Sequence, residues 1–221
     1  MSAFPGSPRV LKGGLVLLDP VKFTPLPSNS IIVLQYNPES ITRTLKIKGA
    51  DEGADRSEAL RLTGPPVETI KLDAEIDATD QLEQPDQNPN TVDNGIAPQL
   101  AALETLVYPA SATLQNNFNL AQQGTLEIMP MLAPLTLFVW SANRIVPVRL
   151  TDFSITEEEF DPALNPLRAK VSMTLRVLTI DDLNFNDKSG SLYIAYQQNK
   201  ERLATLNNFG TFAALGIRGI P

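Results

Sequence analysis

Strict alternation of apolar and polar residues along residues 69–76 limits the fold more than any other feature of this chain. Successive side chains of a strand point to opposite sides, so a period of two predicts a strand with one face in the core and the other in water. The predicted core set is Ile70, Leu72, Ala74 and Ile76, and the predicted polar set is Lys71, Asp73 and Glu75.

Short apolar runs of the same kind recur between turn-forming residues, so the sequence predicts a β-rich fold of the α+β class. Asn37 and Pro38 favour a turn between two of these runs, which predicts a hairpin of 31–36 with 41–47. The remaining predicted strands are 14–18, 126–132, 135–140, 145–150, 152–160 and 168–180.

Two stretches have the spacing of amphipathic helices. One is a single helix inserted among the strands, with a core face of Ile96, Leu100, Leu103 and Val107. The other is a C-terminal helix over 191–206, with a core face of Leu192, Tyr196, Leu203 and Leu206. The tail beyond it is apolar, and we expect it to dock on its own domain or on a neighbour.

The predicted organisation has three parts: an extension over 1–13, a β domain over 14–180, and a helix with its tail over 181–221. Residues 48–66 and 77–95 are polar, lack a core period and read as two long loops. Loops of this length in a compact domain are usually functional, so we expect them to reach across a subunit boundary.

Composition removes whole classes of chemistry, because the chain contains no histidine and no cysteine. Ser-His-Asp catalysis, cysteine nucleophiles, disulfides and thiolate zinc sites are therefore excluded within this chain. The net charge of −7 argues against a nucleic-acid partner. Residues 1–11 have no apolar leader pattern, and Pro130 and Pro134 break the longest apolar stretch, so we expect cytoplasmic assembly without membrane insertion.

Carboxylates are the remaining candidates for chemistry. Asp73, Glu75 and Asp77 share one face of a strand, which is compatible with a cation site or a catalytic pair but is typical of a solvated outer face. The run 157–159 places neighbouring glutamates on opposite faces. We therefore predict no catalytic site, no metal and no cofactor. A carboxylate-dependent cell-wall hydrolase and a stand-alone β-barrel module that binds a peptide or glycan remain the alternatives.

Two ordered sets of residues resemble the contractile injection system tube-protein family. The first is the turn and strand over 34–43, in which Tyr36-Asn37-Pro38 precedes an alternating strand. The second is the series over 134–169: a strand ending at Trp140, a strand with several valines, a strand ending at Phe160, and the turn Asn165-Pro166. The likeness covers about residues 14–180.

The resemblance implies a small antiparallel β-barrel of the tail-tube type that assembles as a ring of six. It implies a structural baseplate protein that joins the spike hub to the inner tube and starts tube polymerisation. The implied partners are further copies of the chain, inner-tube proteins, the spike or hub protein and neighbouring baseplate proteins. The implied location is a phage tail-like particle.

Many family members carry a C-terminal LysM module, and no LysM motif is recognisable after Ile180. The polar face of residues 67–76 is expected to look toward the lumen of the ring or toward solvent. The candidate interface residues that the resemblance supplies are Tyr36, Asn37, Pro38, Arg43, Trp140, Arg144, Phe160, Asn165, Pro166 and Arg168.

Overall fold

A computed structural model describes residues 10–20, 22–26, 30–49, 61–124, 133–183, 188–207 and 210–220. In this part of the chain, seven strands form one antiparallel sheet in the spatial order β2-β1-β5-β6-β7-β4-β3. Their bounds are Gly14–Leu18 (β1), Ile31–Val33 (β2), Ile41–Lys46 (β3), Val67–Asp77 (β4), Leu135–Ser141 (β5), Arg144–Phe160 (β6) and Pro166–Val177 (β7). The predicted β-rich α+β class is confirmed.

Helices account for the long connection between β4 and β5. Instead of one inserted helix, the described part of this connection holds four α-helices: Thr79–Leu82 (α1), Pro89–Asn94 (α2), Ala97–Glu104 (α3) and Ser111–Gln122 (α4). The prediction of a loop over 77–95 is therefore wrong. Proline occupies the first turn of both α2 and α3, where its missing N–H costs nothing. Gly95 separates the two helices with a positive φ of 57°.

Much of the core lies against the inner face of two adjacent strands, β4 and β7. The predicted inward set of β4 is buried, and β7 contributes its own alternate residues. The buried β7 set is Val171, Met173, Leu175 and Val177. Period-two patterning therefore determines which face of the sheet packs, because a register shift of one residue would expose every one of these side chains.

Some predicted strand bounds differ from the structure. The predicted strands 145–150 and 152–160 are one strand, β6, with an irregularity between Leu150 and Asp152. Such a bulge bends a strand without ending it. Strand β7 ends at Val177 and not at residue 180. The predicted strand 126–132 lies outside the described residues.

The sheet bends around one core but does not close into the predicted barrel. Strand β2 pairs with β1 and strand β3 pairs with β4, so the predicted β2–β3 hairpin is wrong. The bend over residues 34–40 carries the chain from one end of the sheet to the other. At this junction the Gln35 side-chain amide donates to the Asp77 carbonyl (2.7 Å) and accepts from the Asp77 N–H (3.0 Å). A side chain thus takes the place of a missing backbone pairing.

The C-terminal helix α5 (Lys188–Thr205) buries its apolar side chains in its first half. Tyr193 and Tyr196 are buried, whereas Leu203 and Leu206 of the predicted face are exposed. The final short helical turn, Phe212–Leu215, has exposed apolar side chains throughout, so the tail does not dock on its own domain in its described part.

Candidate functional site

Four strands, β3, β4, β7 and β6, share one extended outer face that is polar. Hydroxyl groups and charged residues are interspersed along its strands. From the strand registers, the polar residues of this face are Thr42, Thr44, Lys46, Thr69, Lys71, Asp73, Glu75, Asp77, Arg149, Asp152, Ser154, Thr156, Glu158, Arg168, Lys170, Ser172, Thr174 and Arg176. The five carboxylates among them are nearly matched by six basic residues.

Ion pairs tie the opposite charges of this face together. Arg168 Nε lies 2.9 Å from a Glu75 oxygen and 3.3 Å from an Asp77 oxygen. Lys170 bonds Glu158 at 2.9 Å. The acidic residues of β4 therefore meet the basic residues of β7, and the face is close to neutral rather than acidic.

The paired carboxylates are poorly suited to a hydrolase. The hydrogen bond from the Thr79 hydroxyl lowers the pKa of Asp77, assisted by its backbone N–H and by Arg168. A general acid at neutral pH needs the opposite shift. Among the described residues, no group of three or more carboxylates is arranged to hold a metal ion.

Among the residues that the structure describes, the four-stranded part of the sheet formed by β3, β4, β7 and β6 has two edges without a partner strand. Strand β5 pairs only with the first residues of β6, so from Arg149 to Phe160 no described strand lies on that side of β6. The other free edge is the outer side of β3. Neighbouring strands all run antiparallel, so β3 and β6, three places apart, run in opposite directions.

Backbone alternation decides which groups reach the free edge of β6. The Ala78 N–H bonds Leu167 on the β7 side, whereas the Asp77 N–H points away from it. Hydrogen-bonding groups of successive residues in a strand point to opposite sides. The registers of β4 with β7 and of β7 with β6 therefore direct the N–H and carbonyl groups of Thr156 and Glu158 toward β7. The N–H and carbonyl of Glu157 point to the free side of β6. Glu157 is also exposed, so its N–H and carbonyl are free to pair with another strand.

The predicted residues around Asn37 form one structural group. The Asn37 side chain accepts from the Gly13 N–H (2.9 Å) and donates to the Leu11 carbonyl (2.8 Å), so it extends the ladder of β1 beyond β2. The Tyr36 hydroxyl donates to Asp80 (3.3 Å) at the start of the helical connection.

Trp140 belongs to the same group. Its ring stacks on Phe138 with centroids 6.0 Å apart and covers Gly13. A Cβ atom on Gly13 would lie 2.5 Å from the Trp140 ring, so only glycine fits there.

A second group surrounds Asn165 and Pro166. The Asn165 amide donates to the Asp161 carboxylate (2.8 Å) and to the Asp93 carbonyl (3.1 Å). The Pro166 carbonyl accepts from the Ile96 N–H (2.8 Å), and a Cβ on Gly95 would lie 2.2 Å from the Pro166 oxygen. The Asn-Pro turn therefore clamps the helical connection to the sheet.

Arg43 belongs to neither group and faces inward. Its guanidinium bonds the buried Glu68 carboxylate at 2.6–2.7 Å, and Lys200 of α5 lies 3.6 Å from the other Glu68 oxygen. The Tyr196 hydroxyl donates to Glu68 at 2.9 Å. Burial, with the nearby Glu68 charge, raises the pKa of Tyr196 to about 12. This cluster fastens α5 to the sheet.

Comparison with known families decides the class of the protein. The model of the contractile injection system tube protein family matches residues 16–185, which includes every strand except the first two residues of β1. The chain belongs to this family. A search among curated proteins finds no match.

Tube-protein membership accounts for the order of the motif residues, and the geometry gives most of them roles within one subunit. Asn37, Trp140, Asn165 and Pro166 brace the sheet, and Arg43 and Arg168 make ion pairs. Arg144 begins β6, close enough to Tyr196 to oppose the rise in its pKa. Phe160 stands out because its side chain is largely exposed. No helix in the described ranges is long and apolar enough to cross a membrane.

Sequence reasoning missed two residues of this tube protein that matter. Glu68 has the same parity as Ile70 and Leu72, so a carboxylate on the core side of a predicted strand was the signal that a buried partner must exist. Gln35 carried no comparable signal, because its role depends on the distance between two strands that are not neighbours in sequence.

Proposed function

We propose that this tube protein forms a six-membered ring in the baseplate, joins the spike hub to the inner tube and starts tube polymerisation. The observation that carries the ring is the pair of free edges on the four-stranded sheet. Because β3 and β6 run in opposite directions, placing β6 of one copy beside β3 of the next continues the antiparallel order without a break.

Exposed edges give this arrangement a stability argument. A long unpaired edge invites uncontrolled association, and closure of a ring removes it. Strand β3 supports the same conclusion, since Leu45 and the nearby Ile47 are exposed apolar residues. Burial of such side chains against a neighbour contributes about 25 cal/mol for each Å² of apolar surface removed from water.

The outer face of the four strands then lines the lumen. Its hydroxyl groups and paired charges provide hydrogen-bonding groups without a large net field. Such a wall neither repels nor retains a polypeptide of either charge strongly. A near-neutral wall replaces the acidic lumen that β4 alone would suggest.

A proline placed on the free edge tests the ring. In Glu157→Pro the lost N–H is the outward one, so the variant removes a pairing with the neighbour and no hydrogen bond within the subunit. We expect wild-type protein and Glu157→Ala to form particles of six times the 24.1 kDa chain mass, and Glu157→Pro to remain monomeric and folded. Light scattering after gel filtration measures the mass, and circular dichroism measures the fold. A wild-type protein that stays monomeric, or a Glu157→Pro ring, overturns the proposal.

Copy number separates an initiator from the bulk of the tube. One ring contributes six copies to a particle whatever its length, whereas a bulk tube subunit increases with particle length. Quantitative mass spectrometry of particles fractionated by length measures this ratio. Deletion of the protein should also leave no full-length particles. A copy number that scales with length assigns the chain to the tube itself.

A further inference from the structure

The hairpin tip between β6 and β7, defined here as residues 160–164, presents apolar side chains to solvent. Leu164 is 79% exposed and Phe160 is 52% exposed. Leu164 also has a φ of 66°, in the left-handed region that leucine rarely adopts. An exposed leucine in a costly backbone conformation contributes nothing evident to the stability of its own subunit.

Asp161 holds the hairpin tip in this conformation. Its carboxylate accepts from the Asn165 N–H (2.8 Å) and from the Asn165 amide (2.8 Å). Its backbone N–H donates to the Asn165 carbonyl (3.0 Å), and its carbonyl accepts from the Leu164 N–H (2.9 Å). The hydrogen bonds from Asn165 also lower the pKa of Asp161. The tip is therefore preorganised, and residues held in strained conformations concentrate at functional positions.

A small apolar pocket opens where β2 fails to pair with β4. It has a volume of about 200 Å³, which is enough for an isobutyl side chain. We call it the seam pocket, and its apolar lining is Ile31, Ile32, Val33, Leu34, Ala74, Ile76, Ala102 and Leu103. Ile31 and Val33 are themselves more than half exposed, so a neighbouring molecule can reach the rim.

We propose that Leu164 of one copy inserts into the seam pocket of the neighbouring copy. This assignment rests on the ring proposed above and names the side chain that fixes its register. The match is one of size and polarity: a rigid, exposed apolar side chain meets an open apolar pocket on the same polypeptide. The two surfaces differ, so the contact is heterologous and propagates from copy to copy as a ring requires.

Strand direction brings the two features together. Strand β6 ends at Phe160, immediately before the hairpin tip, and β3 begins at Ile41, immediately after the bend over 34–40. If β6 of one copy pairs with β3 of the next, the tip passes the start of β3 and reaches the bend over 34–40. The seam pocket opens beside that bend, because Leu34 and Gln35 line it.

Single cysteines test the contact cleanly, since the natural chain has none. Leu164→Cys and Val33→Cys are prepared separately, mixed and oxidised, and covalent dimers are measured on a non-reducing gel. The mixture should give a dimer, and neither variant alone should. The double variant in one chain should give a ladder up to the closed ring. The control mixture pairs Leu164→Cys with Leu206→Cys, an exposed position that does not line the pocket, and should give no dimer.

Each outcome assigns the failure to one proposal. Rings without a cross-link overturn the Leu164 contact and leave the ring intact. Cross-linked ladders that never close support the contact and overturn the ring. A chain that remains monomeric and forms no cross-link overturns both.

Leu164→Gly separates a role of Leu164 in ring assembly from a role in the stability of its own subunit. Glycine relieves the left-handed backbone, so thermal stability of the monomer should stay the same or rise. Loss of the side chain should nevertheless weaken ring assembly by at least tenfold in concentration, measured by light scattering on dilution. Leu164→Asn, which tolerates the same φ, should behave like the glycine variant. Normal assembly of both variants overturns the proposal.

Discussion

Strand β4 carries two glutamates that each pair with an arginine, and the two pairs differ in the face of the sheet they occupy and in their exposure to solvent. Glu68 points inward, is 3% exposed and bonds Arg43 at 2.6 Å. Glu75 points outward, is 42% exposed and lies 2.9 Å from Arg168. Seven residues of one strand thus separate a desolvated ion pair from a solvated one.

The difference teaches how the two faces of this sheet are built. A buried carboxylate must have every oxygen satisfied, and Glu68 obtains this from Arg43, Tyr196 and Lys200 together. An exposed pair contributes little to folding because water and salt screen it. The inner face therefore determines the position of α5, whereas the outer face is free to serve the lumen.

Placing a charge on the inner face without partners should have the largest effect. Leu72→Asp buries a carboxylate among apolar side chains, and we expect it to lower the free energy of unfolding by about 5 kcal/mol. The matched control is Lys71→Asp on the outer face, with a change of about 0.5 kcal/mol. Chemical denaturation followed by circular dichroism measures both. If the control is the more damaging variant, the assigned faces of β4 are reversed.

Removing one charge from each pair sharpens the comparison directly. Glu68→Gln leaves Arg43 and Lys200 without their counter-ion, and should lower the free energy of unfolding by about 3 kcal/mol. Glu75→Gln should change it by no more than about 0.5 kcal/mol. Urea unfolding of both variants under identical conditions gives the ratio, and equal losses would contradict the distinction between the two faces.

The inner cluster should also respond to alkaline pH. Burial and Glu68 raise the pKa of Tyr196 from 10.0 to about 12, so the folded protein holds this proton more tightly than the unfolded chain. The contribution of Tyr196 to stability is complete below pH 10 and is lost as the pH rises from 10 toward 12. Comparing wild type with Tyr196→Phe at pH 9 and pH 11.5 isolates this residue. The variant should lose less stability across that interval than wild type.

Reversing charge on the outer face should have the smallest effect. We expect Asp73→Lys combined with Glu75→Lys to change the free energy of unfolding by less than about 1 kcal/mol, since both side chains reach solvent. Denaturation of the isolated protein provides the measurement. A loss comparable with that of Glu68→Gln would mean that the outer ion pairs are structural.

Local periodicity was sufficient to predict the strands, because a period of two in β4 and β7 reflects burial of one face. It did not predict which strands pair: Asn37 and Pro38 favour a turn equally well in a hairpin and in a bend between distant parts of a sheet. The helices α1 and α2 are short, with four and six residues, so residues 77–95 contain no long apolar period.

The candidate site likewise has features that the sequence indicates and features that depend on tertiary contacts. The family motif drew attention to Asn165 and Pro166 in the sequence, but their clamp on Gly95 depends on a contact across about 70 residues. The outer face followed from alternation in β4, whereas its neutrality required the register with β7, which places Arg168 opposite Asp77 and Lys170 opposite Glu75. Cross-strand register is a tertiary property that no single segment contains.

The amide of Gln35 makes the joint between β2 and β4 different in kind from the joints between paired strands. Between paired strands, separation requires several backbone hydrogen bonds to break in concert. Between the end of β2 and the end of β4, rotation of one side chain is enough to release both bonds to Asp77. The Asp77 amide proton is therefore protected for only as long as Gln35 keeps one rotamer. The joint between the ends of β2 and β4 is therefore a place where the sheet can widen without unfolding.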